Sequence, residues 1–131
     1  MFDRIKFFVE YQVIQQIKFY FQRKFRGFSD DEVWDLDNAI IRYTLPRLKH
    51  LRKHNHGFPI DFYIEARADE AAMTEEGMLK WNKTIDKMIY AMELILKDEY
   101  WYTSSPTWEM DTEAVKEGME LFHQYFQALW D

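Results

Sequence analysis

The 131-residue chain contains no cysteine. That excludes a disulfide framework, a cysteine nucleophile and any thiolate-held zinc or iron–sulfur site, and it suits a reducing compartment. Glycine occurs four times and proline three times. With so few glycines no loop can cradle a phosphate on backbone amides, and long helices meet few breakers. No stretch is long and uncharged enough to span a bilayer. The opening residues, MFDRIKFFVEYQ, carry charges inside an apolar run and lack a small-residue cleavage site. A secretory signal is therefore not expected, and a cytoplasmic location is. The patterns G-x-x-x-x-G-K-S/T, G-x-G-x-x-G, H-E-x-x-H and G-x-S-x-G are all missing. On these grounds no catalytic set, resident metal or cofactor is expected.

What is present is apolar and aromatic: 47% hydrophobic residues, of which Trp, Tyr and Phe make 18% of the chain. A disordered chain lacks this much material for a core, so one packed domain over 1–131 is expected. The net charge of -6 is unevenly spread. Residues 1–26 hold Arg4, Lys6, Lys18, Arg23, Lys24 and Arg26 against Asp3 and Glu10, a balance of +4 that leaves -10 for the remainder. Either this basic segment packs on the acidic body 27–131 or on another subunit, or it meets an anionic partner. Exposed charge is mostly solvation and weak pairing, which favours the packing account.

The spacing predicts an all-α chain, a small bundle of about four main helices. Over 3–26 Ile5, Val9, Val13, Ile14, Ile17, Phe21 and Phe25 recur at steps of three and four, and Phe7, Phe8, Tyr11, Phe19 and Tyr20 widen that stripe around the helix. Such a helix is normally buried on several sides, as a central helix or at an oligomer contact. Ile14, Ile17, Phe21 and Phe25 are the candidate interface. Gly27 is placed to end this helix, and Ser29-Asp30-Asp31-Glu32 fits a capping box opening the next. There Val33, Trp34, Leu36, Asp37, Ile40, Ile41, Thr44 and Leu45 share the predicted core face. Pro46 should kink or split that helix, and Gly57 and Pro59 end it. Residues 55–73 read as a packed loop or short helix, with Phe62-Tyr63-Ile64 as the one strand candidate. A third helix is predicted over about 74–100, with Met78, Trp81, Ile85, Met88, Ile89, Met92 and Ile95 inward. A loop with Pro106 follows, and then a helix from Asp111 or Thr112 to Trp130.

Three constellations bear on chemistry. The segment TLPRLKHLRKHNHGFP gathers Arg42, Arg47, His50, Arg52, His54 and His56, candidate groups for a small anionic ligand. His50 and His54 stand four apart, but no third ligand at a recognised metal spacing follows. A solvated basic face at a helix C-terminus explains the same residues. Asp37 and Asp86 fall on or beside apolar faces, where a carboxylate needs a partner. A structural ion pair is the expected use, and an acid/base or metal-dependent hydrolase with a histidine is the alternative. Glu120-x-x-His123 has the spacing of a di-iron helix, but the second such motif that site requires is missing.

The stretch RGFSDDEVWDLD resembles the pattern R-G-F/W-S-D-x-x-x-W-x-L/F-D of a family of small phage- and prophage-encoded helical proteins. It is carried here by Arg26, Gly27, Phe28, Ser29, Asp30, Trp34, Leu36 and Asp37. Gly57-Phe58-Pro59, Trp81 with Ile85-Asp86-Lys87-Met88, and Leu129-Trp130-Asp131 extend the likeness from about residue 23 to the end. The resemblance implies a viral origin and an accessory role acting on a host process or defence system, with a host protein as partner. These residues are mostly folding signals and say little about mechanism. The sequence thus favours a non-enzymatic, homo-oligomeric binding protein. Acidic overall charge argues against duplex nucleic acid, although a nucleotide could stack on Trp34 or Trp101. The all-round apolar character of 1–26 argues against a membrane-surface helix, which keeps one strongly polar face.

Overall fold

The structure, a computed structural model, describes residues 2–64, 70–97 and 112–130. It is all-α. The helices are α1 (Phe2–Arg26), α2 (Asp30–Trp34), α3 (Leu36–His54), α4 (Asp61–Ile64), α5 (Glu70–Lys97) and α6 (Thr112–Gln124), with a 3-10 turn over Phe126–Ala128. Among the described residues there is no strand, and the strand candidate at 62–64 falls in α4. Among the described residues no helix is long and apolar enough to cross a membrane. Two compact units divide the chain, Met1–Ile40 and Ile41–Asp131, with the division falling inside α3.

In the first unit α1 stops where the sequence places its stop. Gly27 takes φ +89°, a left-handed conformation that costs a side chain energy, and its amide donates to the Arg23 carbonyl at 3.0 Å. Ser29 is fully buried and opens α2 through a capping box, in which its own amide donates to Glu32 Oε2 at 2.8 Å.

The continuous second helix expected from Ser29 is instead broken at Asp35, which leaves helical geometry at φ -133°, ψ 55°. The Asp35 carboxylate accepts from Asn38 Nδ2 at 2.9 and 3.0 Å, and the Asp35 carbonyl accepts from the Ala39 amide at 2.9 Å. An aspartate offers this local option just ahead of a helix, and here it starts α3 afresh. The break changes the helical phase of Val33 and Trp34 relative to α3, and both are exposed. Leu36, Asp37 and Ile40 are exposed as well, because they form the start of α3, ahead of the stretch from Ile41 that joins the buried cluster with α5; Ile41 and Leu45 are buried as expected. α3 then runs through Pro46 without being split.

The second unit holds the core. Ile41, Leu45 and Leu48 of α3 cluster with Trp81, Ile85, Met88 and Met92 of α5, and Met119, Phe122 and Tyr125 from the α6 end pack against them. The i, i+3, i+4 spacing that the sequence displays is what places these residues on facing stripes. α5 starts at Glu70, four residues earlier than predicted, and the last helix ends at Gln124, short of Trp130. Gly118 is buried within α6 where the backbones of α5 and α6 meet. The loop expected over 100–111, with Trp101 and Pro106, lies outside the described residues.

Candidate functional site

The segment from Phe19 to Trp34 builds a tight α1–α2 corner. Gln22 and Asp30 exchange two hydrogen bonds: Gln22 Nε2 donates to Asp30 Oδ2, and the Asp30 amide donates to Gln22 Oε1, both at 2.9 Å. Arg26 pairs with the Asp30 carboxylate, donates to the Phe28 carbonyl at 3.0 Å and lies 4.4 Å over the Phe28 ring. Arg23 donates to the Ser29 hydroxyl at 3.1 Å, and that hydroxyl in turn donates to Asp31. Phe19 meets Trp34 edge-on at 5.8 Å. Each polar group named here has a partner within the corner, so its job is to fix the turn.

The Arg26 and Gln22 hydrogen bonds hold the Asp30 carboxyl below its ordinary value of 3.8, aided by the charges of Arg26 and Lys18. A depressed carboxyl stabilises the fold above its unfolded value and loses that contribution as pH falls through its folded one. The stabilisation that Asp30 supplies should therefore persist through mild acid and be lost only as pH falls below 3.8. An NMR titration of the Asp30 carboxyl should give a midpoint under that value; one at or above it would contradict the geometry.

The basic cluster on α3 does not converge. Arg52 is engaged by Asp86, Nε and Nη2 reaching its two oxygens at 2.8 and 3.2 Å. Arg47 donates to the Tyr43 carbonyl at 2.7 Å and lies 3.6 Å over the Tyr43 ring. Lys49 pairs with Glu93 at 2.8 Å. His50 and His54 face each other with ring centroids 4.2 Å apart. Arg42 and Arg47 are five residues apart on one helix and so point to different sides. His56 lies beyond the helix, in the turn with Gly57, Phe58 and Pro59.

Asp86 is half exposed and spent in an ion pair with Arg52, the structural use expected of it. The burial expected of Asp37 is corrected: it is exposed at the start of α3, ahead of the stretch from Ile41 that enters the core. Glu120 and His123 are exposed as well, and among the described residues no group of three or more His, Asp or Glu could hold a metal ion.

What remains is α1. Only Phe19 of its apolar residues is buried. Ile14, Ile17, Phe21 and Phe25 are 62, 51, 46 and 79% exposed, on the side of α1 turned away from Phe19. Phe21 stacks on Phe25 at 6.1 Å with 9° between the ring planes, and Tyr20 meets Phe21 edge-on at 5.5 Å. Val13, Ile17, Tyr20 and Phe21 line a shallow apolar groove with Gln12 and Gln16 at its margin. Val13 and Tyr20 join the four residues singled out from sequence, and the signal for them was present: they stand four and three residues from Ile17. Compared with known protein families, curated proteins and solved structures, the chain matches none of them.

Proposed function

We propose that the chain is a binding protein without catalytic chemistry of its own, whose working surface is the bare side of α1, and that this surface meets a second copy of the chain. The observation carrying this reading is the run Val13, Ile14, Ile17, Tyr20, Phe21 and Phe25, all about half exposed or more. Contiguous exposed apolar side chains on this scale mark an interface. The Phe21 and Phe25 rings stack face to face at its end and extend the apolar surface.

Charge favours an antiparallel pair. The acids of α1, Asp3 and Glu10, are near its start, and Arg23, Lys24 and Arg26 are in its last turn. Arg4 and Lys6 balance those acids, so two antiparallel copies keep the two basic ends apart and set opposite helix dipoles side by side, whereas parallel copies would place basic end against basic end. The resemblance of RGFSDDEVWDLD to small phage proteins supports an accessory role directed at a host process or defence system.

The double variant Ile17→Asp, Phe21→Asp tests the surface. It places two charges in the proposed seam and leaves the corner and the 41–131 core untouched. We expect sedimentation to give a folded monomer for the variant and a heavier species for the parent. Equal sedimentation of the two would reject the surface.

A further inference from the structure

We propose that His50 and His54 form a surface chelate for a divalent transition ion of the copper, nickel and zinc group. The inference is independent of α1. The two imidazoles stand one turn apart on an exposed side of α3, with ring centroids 4.2 Å apart and planes tilted by 31°. His54 Nδ1 lies 3.0 Å from the His50 carbonyl oxygen. A carbonyl only accepts, so Nδ1 carries the proton, and in the neutral ring Nε2 keeps the lone pair. Backbone carbonyls orient ligating histidines in this way, fixing tautomer and ring direction.

Three neighbouring cationic side chains are held elsewhere. Arg47 is held on Tyr43, Lys49 on Glu93 and Arg52 on Asp86. Both rings are at the surface, so modest side-chain rotation brings two nitrogens to the ~2.0–2.1 Å that such ions require. Among the described residues no three-ligand cluster exists; the site is a two-nitrogen clip completed by water. Imidazole ligands of this kind select ions in the order copper above nickel and zinc, and leave magnesium and calcium in solution.

The test is calorimetric titration of the full untagged chain, at neutral pH in a non-coordinating buffer, with Cu²⁺, Ni²⁺, Zn²⁺ and Mg²⁺ in turn. One Cu²⁺ site per chain is expected, with Zn²⁺ weaker and no heat from Mg²⁺. His50→Ala and His54→Ala should each weaken Cu²⁺ binding at least about tenfold, whereas His56→Ala and His123→Ala should bind as the parent does. Absence of Cu²⁺ binding, parental affinity in His54→Ala, or loss on His123→Ala would each overturn the proposal.

Discussion

Replacing Trp81 by alanine is expected to cost the 41–131 unit about 3–5 kcal/mol, the usual cost of deleting a large buried aromatic. Trp81 is 2% exposed. Its ring meets Tyr125 edge-on at 5.5 Å and lies 5.8 Å from Phe62, which is itself 5.5 Å from Tyr125. The three rings join α4, α5 and the end of α6, so truncation removes the buried area of the indole and the pairwise ring energies together. The neighbours Met88 and Ile85 are fully buried and can collapse only partly into the space. Urea unfolding followed on the Met88 and Met92 methyl signals should show the unfolding free energy, midpoint times slope, fall by this amount. A cost below about 1 kcal/mol would mean that the aromatic group is not what closes the core.

The second large effect has a sign that helix propensity alone would get wrong. Alanine in place of a mid-helix glycine normally gains about 1 kcal/mol. At Gly118 an added Cβ would overlap the Ala91 Cβ and lie 2.5 Å from the Lys87 carbonyl oxygen, so the obstacle includes backbone of α5. Neither helix can yield without moving the interface that carries Met88, Met92 and Met119. Overpacking of this kind costs about 1–3 kcal/mol and occasionally more. Gly118→Ala should therefore destabilise by up to about 2 kcal/mol after the propensity gain is subtracted. Gly77 is the internal control. The atoms nearest its added Cβ all belong to the ring of Phe58, a side chain that can rotate, so Gly77→Ala should cost clearly less in the same assay. A more stable Gly118→Ala protein would contradict the close approach of α5 and α6.

How much of this was readable in advance depended on how local the deciding interaction was. The Gly27 stop and the Ser29–Glu32 cap are written in adjacent residues, and both form. The inward stripe of α5, from Trp81 to Met92, follows from one helix keeping one phase, and it too is found. The core face over 33–40 does not form, for two reasons. The Asp35 carboxylate engages Asn38 and restarts the helix, which takes Val33 and Trp34 out of phase with α3. Leu36, Asp37 and Ile40 keep the phase but precede Ile41, where the packing against α5 begins, and periodicity does not say where a partner helix starts. Among site candidates, the basic cluster was visible as composition. The partners that divide it, Asp86 and Glu93, come from another helix more than thirty residues away, and no spacing rule points to them. The α1 surface was legible because its excess of apolar residues is a property of a single helix.

That surface is also where the account is most exposed to test. Light scattering coupled to size separation, at micromolar concentration and moderate salt, gives the mass of the particle directly. The account predicts an integral multiple of the 16.1 kDa chain, two copies at the least, reverting to one copy in the Ile17→Asp, Phe21→Asp variant. A parent protein that runs as a single 16.1 kDa chain across that range would contradict it.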